Sequence, residues 1–137
     1  MASIDIIADG LTIIRNGQLA KKDTVAFSTN KTLDSIVGIL KEKGYVLDYK
    51  KDMADSKNKL IVKLKYDKKG AAVISKMVRV SKCSRRVYAN SQDIPRIANG
   101  YATVIVSTNK GVMTGKNARD INQGGEILCY IIEFIFK

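Results

Sequence analysis

The sequence predicts an α+β fold, with helices in the first half of the chain and mostly strands in the second half. Apolar residues near the N-terminus recur at helical spacing, whereas later apolar segments are short and alternate with polar residues or form brief runs. The chain has 137 residues, 45% of them hydrophobic, and one proline, so it can bury a core as one domain or as two small lobes. This segregation of helices and strands favours α+β over a doubly wound parallel sheet.

The predicted first lobe begins with two amphipathic helices separated by a strand. Apolar residues three and four positions apart predict a helix over residues 4–16, ended by Gly17. A short strand is predicted over residues 24–28. The same helical spacing over residues 33–40 predicts a second helix that ends at Gly44.

Two further strands complete the first lobe. Residues 60–66 alternate between apolar and polar side chains, and residues 45–49 are their predicted partner strand. The polar residues 50–59 between them predict an exposed hairpin connection, and Lys68-Lys69-Gly70 marks a lobe boundary. The predicted domains are residues 1–69 and 70–137.

The second lobe is predicted to be mostly β. Short apolar segments predict strands over residues 73–80, 86–89 and 103–107, and a final apolar run covers residues 127–136. A short helix is predicted near residues 94–97. We therefore expect the second lobe to consist mainly of a sheet.

Positive charge is concentrated in the second half of the chain. The formal net charge is +11, and residues 76–119 contain nine Lys or Arg side chains against Asp93 alone. Such a field attracts polyanions, of which nucleic acid is the commonest in a cell. A solvated basic surface that only maintains solubility remains the alternative.

Composition argues against an enzyme and against secretion. The chain has no histidine and only two cysteines, Cys83 and Cys129, so the usual general base, metal clusters and disulfide frameworks are absent. The N-terminus lacks a signal sequence, and no apolar run reaches the length of a membrane span. We expect a cytoplasmic protein without a cofactor, a metal, a membrane partner or a small-molecule substrate.

A polar segment follows the predicted strand that ends near Val106. Residues 107–114 combine hydroxyls, an amide, a lysine and a glycine, which predicts a loop that binds a ligand, and Thr114 is placed to cap a short helix that ends near Ile121. A nucleotide-binding P-loop is disfavoured because three residues, rather than four, separate Gly111 from Gly115. Two interpretations stay open, an RNA-binding surface and an ordinary turn whose hydroxyls satisfy their own backbone.

Three other features have a functional and a structural interpretation. Arg85-Arg86-Val87-Tyr88 could pair phosphates and stack on a base, although Tyr88 could equally be a core or edge-strand ring. Glu126 could orient the neighbouring loop or accept a hydrogen bond from an RNA hydroxyl. Cys129 lies in an apolar run and is expected to be a buried structural thiol, and Cys83 is interpreted as a bystander rather than a redox thiol.

Several ordered motifs together resemble the small-subunit ribosomal protein S-eight family of the bacterial type. They cover roughly residues 4–130, and they are Ile7-Ala8-Asp9, Leu11-Thr12, Ile14-Arg15-Asn16-Gly17, Arg79-Val80-Ser81-Lys82, Arg86-Val87-Tyr88, Ser107 to Thr114, Ala118-Arg119 and Gly124-Gly125-Glu126 with the residues up to Tyr130. The resemblance implies two α+β lobes packed side by side, with helices outside the sheets, and a primary binder of the central domain of small-subunit ribosomal RNA that helps to assemble the platform. It implies no enzymatic activity.

The resemblance also implies which residues bind RNA and which partners are expected. The implied RNA-binding residues of the second lobe are Ser107, Thr108, Asn109, Lys110, Gly111, Thr114, Tyr88, Arg86, Gly125 and Glu126, and those of the first lobe are Arg15, Asn16 and Lys31. The implied protein neighbours are small-subunit proteins such as the fifth and the twelfth. Some family members also repress their own messenger RNA, so that RNA is a further expected partner, in a bacterial or an organelle-encoded ribosome.

The chain departs from the family pattern in two places. Cys83-Ser84 stands where the family commonly has Pro-Gly, which would change how Arg85 and Arg86 are presented. Residues 131–137 run past the usual end of the family and are expected to extend the last strand or to pack against another component of the subunit. Two rival hypotheses remain, a phosphate-ester enzyme that uses residues 111–116 and a dedicated messenger-RNA repressor.

Overall fold

A computed structural model describes residues 5–52, 58–82, 84–97 and 102–133 and confirms the α+β class. The described helices are α1 (Ile6–Leu19), α2 (Lys31–Glu42) and α3 (Gly115–Asp120), and the strands are β1 (Thr24–Ser28), β2 (Val46–Asp52), β3 (Lys59–Leu64), β4 (Ile74–Arg79), β5 (Tyr88–Ala89), β6 (Thr103–Thr108), β7 (Gly111–Thr114) and β8 (Gly125–Glu133). The described residues fall into two compact units, one within 5–75 and the other within 76–133. The domains 1–69 and 70–137 stay a prediction, because compactness alone does not establish independent folding.

Helix α1 is longer than its sequence pattern predicts. Asp5 caps its first turn by accepting a hydrogen bond from Ala8 N at 3.0 Å. Gly17 does not end the helix, because it lies inside α1 and permits close packing: a Cβ at this position would lie 2.4 Å from the Cγ1 atom of Val25. The end predicted at Gly17 is therefore wrong, and the helix continues to Leu19.

The first unit is a three-stranded antiparallel sheet covered by α1 and α2. The strand order is β1-β3-β2, with Val25 opposite Val62 and Phe27 opposite Leu60. These four side chains are buried, whereas Thr24, Ala26 and Ser28 on the other face of β1 are exposed. One face of the sheet therefore forms the core beneath the helices.

Helix α2 and the strand after it agree with the predicted pattern apart from their ends. Asn30 caps α2 through a 2.8 Å hydrogen bond from Leu33 N, and the chain leaves the helix through Gly44 at φ +83°. Strand β2 extends to Asp52, so the predicted hairpin connection over residues 50–59 begins later than expected. Residues 53–57 of that connection lie outside the described residues.

The second unit is built on an antiparallel sheet in the order β4-β8-β6-β7, and β5 also pairs with β8. Val104, Val106, Ala118 and Ile127 form its core together with Ile94. Helix α3 contacts β6 and β7, so this six-residue helix covers the hairpin side of the core. No helix in the described part of the chain is long and apolar enough to cross a membrane.

Two predictions for the second unit are corrected. The helix expected at residues 94–97 is absent: a short 3₁₀ helix covers Ser91–Asp93, and Ile94 is extended because a residue that precedes a proline is disfavoured in the helical region. The strand expected over residues 86–89 is limited to Tyr88–Ala89. Strand β8 takes up the final apolar run as far as Glu133, and residues 134–137 lie outside the described residues.

Candidate functional site

The segment predicted as a polar loop, residues 107–114, is a β-hairpin. Strand β6 continues through Thr108 and β7 begins at Gly111, with Ser107 opposite Val112 and Thr108 opposite Gly111. The loop is therefore reduced to Asn109 and Lys110, both of which are exposed. Gly111 has φ +115°, a conformation that favours glycine in so tight a connection.

Thr108 stabilises the tip of this hairpin. Its hydroxyl donates to the carbonyl of Gly111 at 2.8 Å and accepts from the backbone N–H of Lys110 at 3.1 Å. Both bonds stay within the turn, as the alternative interpretation of an ordinary turn expects. The side chains that the tip exposes to solvent are those of Asn109 and Lys110.

Thr114 forms the predicted helix cap. Its side chain accepts from Asn117 N at 3.2 Å, and the residue is buried with 6% exposure. Residues 111–114 are a strand rather than a loop of successive amides. Thr114 thus anchors α3 to the hairpin.

Side chains from three strands meet in one row on the sheet of the second unit. Tyr88 on β5 and Ser107 on β6 are each paired with Glu126 on β8. Directly paired residues of antiparallel strands lie on the same face, with Cβ atoms about 4.5–5.5 Å apart. We call Tyr88, Glu126 and Ser107 the recognition row.

The recognition row is accessible at its Tyr88 end. Tyr88 is 68% exposed, so it is an edge-strand ring rather than a core ring. A cavity of about 800 Å³ lies beside the row, with Tyr88, Asn109 and Gly125 in its wall. This concave surface therefore extends from the Tyr88 end of the row to Asn109 at the hairpin tip.

Gly124 and Gly125 allow the strands to approach closely around the row. A Cβ at Gly125 would lie 2.0 Å from the carbonyl oxygen of Ser107, and one at Gly124 would lie 2.5 Å from the carbonyl oxygen of Ala89. Neither glycine has a positive φ, so space rather than unusual backbone conformation requires glycine here. Their role in the site is to set the spacing of its strands.

Glu126 is held by two neighbours from the segment before β5. Its Oε2 atom accepts a hydrogen bond from the Ser81 hydroxyl and another from the guanidinium of Arg86 at 3.0 Å. The Arg86 and Glu126 side chains are 47% and 18% exposed, so this ion pair is partly solvated. Ser81 was missed as a site residue by sequence reasoning, because its partner Glu126 is 45 positions away and only the matching family motif included it.

The basic residues of the second unit divide into two groups. Arg79 donates to the carbonyl of Leu128 at 2.7 Å, and Arg119 donates to that of Ile94 at 3.5 Å, so both also serve the fold. The cations exposed to solvent, apart from Arg86, are Lys76, Lys82, Arg85, Arg96, Lys110 and Lys116. These six supply the positive field that phosphates would meet.

The remaining predicted residues lie elsewhere or outside the described chain. Arg15 and Asn16 are exposed on α1, and Lys31 is exposed at the start of α2, so all three belong to the first unit and none is part of the recognition row. Cys129 is buried as predicted, and burial raises the pKa of its thiol to about 12. Cys83 lies outside the described residues.

Comparison with known proteins gives one consistent match. The sequence profile of the family described as "Ribosomal protein S8" matches residues 5–132. A curated protein of Dechloromonas aromatica named "Small ribosomal subunit protein uS8" is 47% identical over 131 residues, which is 96% of this chain and 99% of the relative. Proteins of the same name from Thioalkalivibrio sulfidiphilus and Campylobacter hominis are 44% and 42% identical, over 96% and 93% of this chain and 99% and 97% of the relatives.

Proposed function

The chain belongs to the ribosomal protein S8 family, and on that premise we propose that it is a primary RNA-binding protein that docks on the central domain of small-subunit ribosomal RNA. Membership of this family supports a structural role in the ribosome. We further propose that docking helps to assemble the platform of the subunit. The single observation that carries the proposal is the recognition row beside the exposed hairpin tip in a strongly basic unit.

Each exposed side chain of this surface offers RNA a different kind of contact. Lys110 offers a positive charge to a phosphate, and Tyr88 offers a ring on which an unpaired base or a sugar can stack. Ser107 and Glu126 offer a hydroxyl and a carboxylate that reach sugar hydroxyls and base edges. Together these groups suit an irregular RNA helix better than a uniform duplex, whose bases are not accessible for stacking.

The other proposed RNA-binding residues act mainly by stabilising the backbone conformation of this surface. Thr108 closes the hairpin tip, Thr114 anchors α3, and Gly111 and Gly125 permit the turn and the close strand approach. Glycine and threonine backbones at the tip remain near enough to the surface to contact phosphate oxygens. Asn109, which is exposed in the turn, adds an amide that can reach either a phosphate or a base edge.

We propose a second contact through the first unit. Arg15, Asn16 and Lys31 are exposed, and their charges and amide suit a neighbouring RNA element. Neighbouring small-subunit proteins, such as the fifth and the twelfth, and the protein's own messenger RNA are further proposed partners. A bacterial ribosome is the proposed location, since the relatives compared above are bacterial.

The test is RNA binding by two variants and a matched control. Ser107→Ala removes a hydrogen-bonding hydroxyl and should weaken binding to a central-domain RNA fragment about fivefold, as expected for one hydrogen bond. Lys110→Ala should lower the slope of log affinity against log salt by about one unit, as expected for one lost phosphate contact. Lys68→Ala removes a lysine that is also exposed, from the first unit, and should leave the slope unchanged.

The outcomes separate the hypotheses. Wild-type affinity and salt slope in both Ser107→Ala and Lys110→Ala, with folding intact, would refute the proposed surface. Sequencing of the RNA that copurifies with the protein distinguishes ribosomal RNA from a messenger. Recovery of a single messenger without ribosomal RNA would replace the proposed role by that of a dedicated repressor.

A further inference from the structure

A buried serine lies directly behind the recognition row. Ser81 has no exposed surface, and its backbone N–H donates to the carbonyl of Ile127 at 3.1 Å. Its hydroxyl donates to Glu126 Oε2 and accepts from the backbone N–H of Val87 at 3.2 Å. Ser81 therefore links the segment before β5 to the carboxylate in the centre of the row.

The side-chain partners of Glu126 in the described part of the chain bond to the same carboxylate oxygen. Both the Ser81 hydroxyl and the Arg86 guanidinium bond to Oε2, and Oε1 has no side-chain partner among the described residues. Glu126 is partly exposed, between Tyr88 and Ser107. Oε1 is thus an acceptor that is available to a ligand on the row.

The charge of this acceptor limits what it can bind. An ionised carboxylate accepts hydrogen bonds and cannot donate them, and it repels phosphate. Within an RNA, the groups that can donate to it are ribose 2′-hydroxyls and the amino or imino N–H groups of bases. Glu126 therefore adds selectivity for a donor in a unit whose net positive charge attracts phosphates.

We propose that Ser81 is a positioning residue for RNA recognition, and this inference rests on the RNA-binding function proposed above. Its buried hydroxyl fixes Oε2 of Glu126 beside Arg86 and leaves Oε1 as the single acceptor for a hydroxyl or amino hydrogen of the RNA. A glutamate side chain without this anchor samples several rotamers and must be ordered when RNA binds. Because the hydrogen bond from Ser81 orders the Glu126 side chain when the protein folds, that conformational entropy is not lost again when RNA binds.

A double-mutant cycle tests whether Ser81 acts through Glu126. Ser81→Ala should weaken binding of the central-domain RNA fragment about five- to tenfold, as expected when one long side chain must be ordered on binding. In a Glu126→Ala background, the same Ser81→Ala change should have no further effect, because the carboxylate that it positions is gone. Ser81→Thr retains the hydroxyl and should bind within about twofold of wild type.

The cycle also separates positioning from a purely structural role. If Ser81→Ala weakens binding equally in both backgrounds, it acts through the backbone at Val87 and the proposal is wrong. If urea denaturation shows that Ser81→Ala is unfolded, the Ser81→Cys variant is used in its place, because a thiol is similar in size to the hydroxyl and is a weaker hydrogen-bond donor. Wild-type affinity in Ser81→Cys would then refute the proposal, and an intermediate loss that vanishes in Glu126→Ala would support it.

Modified RNA identifies the donor and keeps this inference distinct from the proposed function. A 2′-deoxy substitution that abolishes the effect of Glu126→Ala identifies a ribose hydroxyl, and inosine in place of guanosine tests an amino group in the same way. If no sugar or base substitution couples to Glu126→Ala, the inference is wrong. If the wild-type protein does not prefer the central-domain fragment over unrelated RNA, the proposed function is wrong. If Glu126→Ala binds with wild-type affinity while Lys110→Ala shows a reduced salt slope, only this inference is wrong.

Discussion

Gly125→Ala should destabilise the second unit by forcing β8 away from β6. The added Cβ would lie 2.0 Å from the carbonyl oxygen of Ser107, 2.9 Å from its carbonyl carbon and 3.2 Å from the Cα of Thr108. All three are backbone atoms, so no side-chain rotation relieves the overlap, and the strands must separate by more than about 1 Å to reach ordinary contact distance. Overpacking of this kind costs about 1–3 kcal/mol.

The strand separation should add a second contribution. Ser107 is paired with Glu126, next to the substituted position, and stretching this part of the ladder weakens at least one backbone hydrogen bond worth about 1 kcal/mol. We therefore expect the free energy of unfolding to fall by about 2–4 kcal/mol. Urea denaturation measures this change, and hydrogen exchange at the amides of β6 assigns it to the second unit.

A second glycine-to-alanine substitution provides the control. Gly38 lies inside α2, where the atoms nearest to an added Cβ would be the hydroxyl oxygen and Cζ of Tyr49, at 3.2 and 3.9 Å, and both belong to the outer end of a side chain that can move. Because alanine is favoured over glycine in a helix interior by about 1 kcal/mol, Gly38→Ala should be neutral or stabilising. If Gly125→Ala were as stable as the wild type, the argument from close strand approach would be refuted.

Four other predictions concern three residues of the second unit, Cys129, Thr114 and Tyr88. In Cys83→Ser, where Cys129 is the one thiol left, alkylation at pH 8 should be far slower in the native protein than in urea, because burial raises the pKa of Cys129 from 9.0 to about 12. Between pH 9 and about 12, the Cys129 thiol ionises in the unfolded chain and stays protonated in the folded one. The free energy of unfolding should therefore fall over this pH range, and by less in a Cys129→Ala variant. Thr114→Val should lower the free energy of unfolding by about 1 kcal/mol while Thr114→Ser retains it, and equal stability of the two would contradict the cap. Tyr88→Ala should weaken RNA binding by about 1–3 kcal/mol while Tyr88→Phe retains it, without a matching loss of stability in either variant.

Local patterns were sufficient to predict most of the fold. Helical spacing located α1 and α2, alternation located β3, and the position of Thr114 before a short polar segment predicted the cap of α3. The errors arose where distant contacts override local preference. Gly17 has the local character of a helix end, but its missing side chain serves packing against Val25 in the next element.

The candidate site was less predictable from the residues alone. The hydroxyls and glycines of residues 107–114 are typical of a loop, and only the pairing with β8 and within the hairpin makes them strands. The resemblance to a known family, rather than the pattern of residues, brought Tyr88, Ser107 and Glu126 into one hypothesis. Ser81 could not be found from local sequence, because its hydroxyl bonds to a carboxylate that only the folded sheet places beside it.

The recognition row also has a consequence for folding order. Successive members of the row, Tyr88, Ser107 and Glu126, are 19 positions apart in sequence, and they become neighbours only when β5 and β6 have both paired with β8. Because long-range contacts must overcome a larger loop-closure entropy, we expect them to form after the local hairpin of β6 and β7. Strand β8 is the last of these strands to be synthesised, so a nascent or partly folded chain carries the positive charge without the row. If the row binds RNA as proposed, selective docking requires a chain whose second sheet is complete.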